Sequence, residues 1–266
     1  MKRIILLLSC LLVVVAAQAQ KPDYCKSPKA VRLVAYNVGV FSKSGYDSTQ
    51  DVVEMMQELS ADAVAVCEQD SCNRRHAIFQ TENFQEHLGV GWDYRYASAM
   101  QWNGGSYGTG VVTSRIILNS FDIRLVKGEG YEPRVCVVAE TPGYVVASVH
   151  LDHSNDAVRI EQARTVTEEL LARYGDSRKP VFLCGDLNAE PESQTLKYFS
   201  EDWKVISAQD PTYPSDDPKE CIDYILVLKN KARYKVQKTA VCTEFDSADV
   251  STASDHLPVY VDVILK

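Results

Sequence analysis

The stretch "VFLCGDLNAEPES", residues 181–193, decides the reading of this chain. Val181, Phe182, Leu183 and Cys184 run into Gly185, then into Asp186, Asn188, Glu190 and Glu192. A short apolar run of this kind fits a strand buried on both faces. Such a strand should end in plain turn residues, yet this one ends in carboxylates and an amide, groups that are costly to bury alone.

The same ending recurs along the chain. "VRLVAYN" (31–37) closes on Asn37 and "DAVAVCE" (62–68) on Glu68. "YVVASVHL" (144–151) reaches His150, with Asp152 two positions on, and "CIDYILVL" (221–228) opens onto Asp223. Asp255 and His256 stand immediately before the last strand, "LPVYVDVIL" (257–265). Residues i and i+2 of a strand point the same way, so Asp186 with Asn188, and His150 with Asp152, are expected to present paired polar groups to one side. Ligands gather where strand ends and loops converge. An oxygen-rich set of Glu, Asp and Asn suits a hard divalent cation, Mg2+ or Mn2+. Histidines beside it suit proton transfer or stabilisation of an anion. The combination points to metal-assisted phosphoryl hydrolysis.

Between these runs the pattern alternates. Helical spacing marks 48–60, 76–89 and 155–175, the last with an Asn or Asp start and a terminal Gly175, and a Pro-started helix is expected at 191–199. Further strands are expected at 93–99, 109–114, 121–127, 134–140 and 234–241, with "WNGGSYG" (102–108) as a loop or turn. The loops expected to face a substrate, about 40–50, 69–75, 100–107 and 209–220, are short. No repeat, low-complexity block or linker interrupts 31–266, so one α/β domain is expected there, after a short leader at 20–30.

The first 19 residues read differently. Lys2 and Arg3 precede an apolar run from Ile4 to Ala17, and "AQAQ" follows. This is the pattern of a secretory signal cleaved after Ala19, too short for a comfortable membrane span. A secreted or periplasmic protein without a stable membrane span is expected; Cys10 sits inside the apolar run, which argues against a lipid anchor. Such a compartment permits disulfides. Seven cysteines remain after Cys10, an odd number, so one thiol at least has no partner within the chain. Cys136 and Cys184 fit buried thiols, whereas Cys67 and Cys72 are near enough to bridge without the spacing deciding it.

In order, Asn37, Glu68, "YGTG" (107–110), Arg134, "HLD" (150–152), "GDLNAEP" (185–191), "IDYI" (222–225) and "SDHLPV" (254–259) resemble the motifs of the endonuclease/exonuclease/phosphatase family, from about Val31 to Ile264. The resemblance implies a four-layer α/β sandwich, two packed mixed β-sheets flanked by helices, of the deoxyribonuclease I-like kind. It implies that Glu68 ligates the metal with Asn37 beside it and Asp255 as a further metal-side carboxylate. Asp186 and Asn188 would position the attacking water and the phosphoryl oxygens. His256 would be the general base or polarise the nucleophile, with Asp223 fixing its tautomer. His150 would donate to the phosphoryl oxygen, and Arg134 and Tyr107 would face the substrate. Two positions depart from the family pattern. Gly39 stands where a second metal-side carboxylate is common, and Thr109 follows Gly108 where Asn is common.

The partner expected is a phosphate ester, whether small molecule, lipid headgroup or nucleic acid, acted on by a monomer. The formal net charge is -8, and no Lys/Arg cluster with interleaved aromatics stands out, which weighs against tight duplex binding. The alternatives are a nuclease acting on extracellular DNA or RNA and a catalytically inactive binding module of the same fold. His153 is expected at a solvated helix approach, with a place on the pocket wall as the alternative, and His76 and His87 on a helix surface.

Overall fold

The computed structural model describes residues 22–128 and 132–266. The expected signal segment, 1–19, lies outside the described residues. Two mixed six-stranded sheets pack face to face. The first holds β1 (Val31–Asn37), β2 (Ala63–Ser71), β3 (Asp93–Trp102), β4 (Gly105–Thr113), β11 (Tyr234–Val241) and β12 (Val259–Leu265), in the order β11-β12-β1-β2-β4-β3. The second holds β5 (Asn119–Arg124), β6 (Val135–Glu140), β7 (Val145–His150), β8 (Val181–Asp186), β9 (Trp203–Val205) and β10 (Asp223–Leu228), in the order β5-β6-β7-β8-β10-β9.

Alternation along each strand explains why so many read as wholly apolar. Leu33 and Ala35 of β1 meet Val146, Phe182 and Ile225 in the core between the sheets. Val34 and Tyr36 point the other way, onto Val52, Met55 and Met56 of α1 (Thr49–Glu58) and Phe84 of α2 (Gln80–Leu88). On the far side, Ala147, Leu183 and Leu226 pack under Ala163, Val166 and Leu170 of α3 (Asp156–Tyr174) and Phe199 of α4 (Gln194–Asp202). Helix, sheet, sheet and helix make the four layers, and a short α5 (Val250–Ala253) precedes β12.

Several boundaries differ from the sequence pattern. The helix expected from Pro191 begins at Gln194, because the Ser193 hydroxyl accepts from Leu196 N and caps it there. The helix expected from His76 begins at Gln80. Residues before it form a turn in which Asn73 Oδ1 accepts from the amides of Arg75 and His76, so His76 is a turn residue bonded to Asp70 rather than a helix-surface residue. The segment 100–107 is not a loop: β3 and β4 run on to a two-residue turn at Asn103 and Gly104, both with positive φ, the geometry that suits a tight hairpin. β2 does not end at Glu68 but continues to Ser71 past a bulge. All seven cysteines among the described residues are free, Cys67 buried and Cys72 exposed.

Candidate active site

Topology brings the polar strand ends together. Within the second sheet, His150 lies opposite Asp186 on the parallel pair β7 and β8, and Asp223 lies opposite Asp186 on the antiparallel pair β8 and β10. In the first sheet, β1 ends at Asn37. β12 runs antiparallel to β1 with Val259 opposite Ala35, so the loop carrying Asp255 and His256 arrives at the same edge. Glu68 sits in the β2 bulge between Val66 and Gln69 with φ +56, a conformation costly for a residue with a side chain. Such a bulge re-aims a strand side chain, here the Glu68 carboxylate toward Asn37.

The side chains then interlock. Asn37 Nδ2 donates to Glu68 Oε1 at 3.1 Å and to Asp186 Oδ2 at 3.0 Å, and lies 3.4 Å from His256 Nε2. Asn37 Oδ1 accepts from Gly39 N, so both ends of the amide are held. His256 Nδ1 meets Asp223 Oδ2 at 2.8 Å, and the Thr212 hydroxyl donates to the same oxygen at 2.6 Å. His150 Nδ1 lies 3.0 Å from Arg134 Nη1. A guanidinium only donates, so Nδ1 accepts and the His150 proton is carried on Nε2, which lies 3.5 Å from Asp186 Oδ2. Glu68, Arg134, His150, Asp186 and His256 line one cavity of about 410 Å³ together with Lys43, Tyr107, Glu132, His153, Asn188, Tyr213, Glu220 and Asp255, and the buried Asn37, Asp223 and Thr212 hold them from behind.

Burial and charge set the protonation states. Burial raises the Asp186 carboxyl to about 7, and the neighbouring Asp223 charge adds to it. Burial would lower the His256 imidazolium, but the charge and hydrogen bond of Asp223, with Asp186 and Asp255, outweigh it and raise it to about 10. His150 goes the other way: burial and the cations Arg134 and His256 hold it neutral, well below the usual imidazole range. A cationic histidine, a neutral histidine donating from Nε2, and a carboxyl titrating near neutrality therefore share one pocket. That arrangement can move protons and stabilise an anion.

The donor set also fits a hard cation. Lys43 Nζ already lies 3.0 Å from Asp255 Oδ2 and 3.7 Å from Glu68 Oε2, so positive charge stands between these carboxylates. Asp255 Oδ1 is buried with no hydrogen-bond partner among the described residues. Asp186, Asp223 and His256 also bring potential ligand atoms within 4.8 Å of one another. Asp223 Oδ2 there is already engaged by His256 and Thr212, whereas Asp223 Oδ1, like Asp255 Oδ1, is buried with no hydrogen-bond partner among the described residues.

Every sequence-derived candidate lies in or beside this cavity: Asn37, Glu68, Tyr107, Arg134, His150, Asp186, Asn188, Asp223, Asp255 and His256. Asn188 has φ +48, takes its place through Nδ2 to Leu151 O, and donates from its amide to Asp186 Oδ1. Asp152 does not join His150 in the pocket. β7 stops at His150, so the alternation lapses, and Asp152 Oδ1 instead accepts from the amides of Ser154 and Asn155 ahead of α3. His153 is exposed on the approach to α3, as expected, and also borders the cavity, where its Nδ1 lies 3.4 Å from Arg134 Nη2. Lys43, Thr212 and Tyr213, whose ring centroid is 4.8 Å from that of His256, lie in the loops 40–50 and 209–220 expected to face a substrate, but the sequence pattern does not single them out as residues. A Cβ at Gly39 would fall 2.2 Å from Lys43 Cγ, so the glycine makes room for that lysine.

A sequence model of the Endonuclease/Exonuclease/phosphatase family matches residues 34–256. No curated protein sequence matches the chain significantly. Among solved structures, a mannosyl-6-phosphatase of Bacteroides thetaiotaomicron superposes with a TM-score of 0.73 at 19% identity, covering 88% of this chain and 100% of that one. An endonuclease/exonuclease/phosphatase family protein of the same species gives 0.72 at 20% identity, covering 90% and 99%. The catalytic domain of human nocturnin, solved with a bound sulfate anion, gives 0.66 at 16% identity, covering 91% and 97%. At these identities the likenesses establish the shared fold.

Proposed function

The chain belongs to the endonuclease/exonuclease/phosphatase family of metal-dependent phosphoester hydrolases, and on that premise we propose that it is a secreted or periplasmic, Mg2+-dependent enzyme that hydrolyses a small phosphate ester. The observation that carries this reading is the convergence on one cavity of Glu68, Asp255, Asp186, His150 and His256 from both sheets. The mannosyl-6-phosphatase likeness supports a small phosphorylated substrate. The excess of acidic residues supports that choice over a nucleic acid.

Glu68 and Asp255, with Asn37 beside them, would hold the ion. Bound there, Mg2+ supplies charge to the phosphoryl oxygens and lowers the pKa of groups around it. Arg134 would bind a phosphoryl oxygen while orienting His150 through Nδ1. The Nε2 proton of His150 would then meet the negative charge that builds as water attacks. Asn188 and Asp186 would orient that water. His256, once deprotonated and held by Asp223, would take its proton at Nε2. The new P–O bond forms from the water oxygen, the ester P–O bond breaks, and the leaving oxygen takes up a proton to depart as an alcohol.

The test is an assay of the protein with Mg2+ or Mn2+ on p-nitrophenyl phosphate, bis-p-nitrophenyl phosphate, plasmid DNA and sphingomyelin. Turnover of small esters with His256→Ala slower by about 10²–10⁴-fold is the expected result. Plasmid cutting at low enzyme would move the assignment to a nuclease. No turnover together with no metal binding would leave an inactive binding module.

A further inference from the structure

Beside the catalytic cavity lies a second cleft of about 490 Å³, and the two share Glu68, Tyr107 and Glu132 as a common wall. Its remaining lining is Arg75, Met100, Trp102 and Pro133. The bulge between Ser98 and Met100 sets the register so that Met100 lies opposite Tyr107 and Trp102 opposite Gly105. Met100, Trp102 and Tyr107 therefore share one face of the hairpin. Trp102 remains 41% exposed, a large apolar surface left open at the rim of a polar site.

The cleft is built rather than incidental. The hairpin tip is tied to the turn that carries Arg75: Arg74 N donates to Asn103 O at 3.0 Å, and Asn73 Nδ2 to Ser106 O at 3.3 Å. A Cβ at Gly105 would lie 2.2 Å from Ser71 O, so the two backbones touch and only glycine fits. Arg75 is locked by two hydrogen bonds to the buried Asp70, at 2.7 and 2.9 Å, and His76 braces the same carboxylate. Asp70 balances the Arg75 charge, and Glu132 and Glu68 face Arg134 and Lys43 at 3.4 and 3.7 Å, so the walls carry no unbalanced cation. A second phosphate or a polyanionic strand finds no net positive charge here. An uncharged ring with hydroxyls finds an indole face, a fixed guanidinium donor and a carboxylate acceptor.

We propose that this cleft is a glycosyl subsite, which seats the pyranose ring of a sugar phosphate against Trp102 while the phosphoryl group enters the neighbouring cavity. The inference rests on reading that cavity as the phosphoester site, and it names the alcohol half of the substrate.

Equilibrium binding separates the two readings, because it needs no turnover. Isothermal titration in Mg2+ compares a non-hydrolysable hexose 6-phosphonate with ethylphosphonate, on the parent, Trp102→Ala and Trp102→Phe. The parent should prefer the hexose ligand by roughly tenfold or more; Trp102→Ala should erase the preference, and Trp102→Phe should keep part of it, with ethylphosphonate unchanged throughout. Equal affinity for the two ligands in the parent, or a preference that survives Trp102→Ala, overturns the subsite. A nucleoside 5′-phosphonate that outcompetes the hexose ligand through Trp102 overturns it in favour of base stacking. A Trp102-dependent hexose preference without hydrolysis of any ester would sink the proposed activity and leave the glycosyl subsite standing.

Discussion

The ammonium of Lys43 lies 3.0 Å from the Asp255 carboxylate, and its stem covers the Cα of Gly39, where no other residue leaves room for it. Gly39 adopts φ +51, so glycine serves here both as a left-handed position and as the floor under a lysine. Burial works against the Lys43 charge, yet Glu68 and Asp255 raise its pKa. A divalent ion bound by the same carboxylates must displace this ammonium. Lys43→Met keeps the stem and removes the charge, so Mn2+ affinity measured by calorimetry should rise by roughly tenfold. Unchanged or weaker affinity would show that the lysine is not a competitor.

Glu68 tests the other half of that site. Its carboxylate is aimed by a bulge and by Asn37, not by packing, so Glu68→Gln should fold normally. Loss of one anionic oxygen should weaken Mn2+ binding by about 10–100-fold, read in the same titration with circular dichroism as the fold control. A variant that binds the ion as tightly as the parent would remove Glu68 from the ligand set.

How much of this was legible beforehand depends on how local each signal is. Asp186 and Asn188 follow a doubly buried strand within a few residues, and His256 precedes another, so the pattern exposes them. The apolar runs alone point to one α/β domain; that it holds two packed sheets is implied by the family resemblance, and the structure has them. Asp152 shows the limit: period-two reasoning holds only while the strand lasts, and β7 ends two residues earlier. Lys43, Thr212 and Tyr213 lie in loops expected to face a substrate, but which side chain of such a loop folds over the sheet edge depends on distant contacts that the local sequence does not carry. Residues 100–107 look like a loop because Asn103, Gly104 and Gly105 stand together at their centre, but two long strands close on a turn of just Asn103 and Gly104.

Metal binding should release a proton. Without an ion, Asp223 and its acidic neighbours raise His256 to about 10, so the imidazole is charged at pH 8. A dication at Glu68 and Asp255 disfavours that proton, and the raised pKa moves down. Below the raised pKa the ion therefore competes with a proton, and affinity should increase with pH, by up to about tenfold per unit, levelling off near pH 10. Titrations of Mn2+ in buffers of different ionisation enthalpy at pH 7–8 should report release approaching one proton per ion. Asp223→Asn removes the main opposing charge and should shrink that release; an unchanged value would mean the proton comes from elsewhere.

Stability has its own anchor away from the site. Arg32 is fully buried on β1, and Nε and Nη2 donate to the two carboxylate oxygens of Asp262 on β12 at 2.7 and 2.8 Å. Nη1 donates to Tyr24 O and Leu59 O, tying the chain before β1 and the end of α1 to the same guanidinium. Its charge also lies 4.2 Å from the Tyr260 ring centroid. Arg32→Met fills the volume but leaves Asp262 as an unpaired buried carboxylate with two carbonyls unsatisfied. The expected cost is about 3–5 kcal/mol in urea unfolding. Arg32→Met combined with Asp262→Leu removes the stranded charge as well and should recover much of that loss. If the double variant were no more stable than the single one, the penalty would lie in the lost carbonyl contacts of Tyr24 and Leu59 rather than in the orphaned carboxylate.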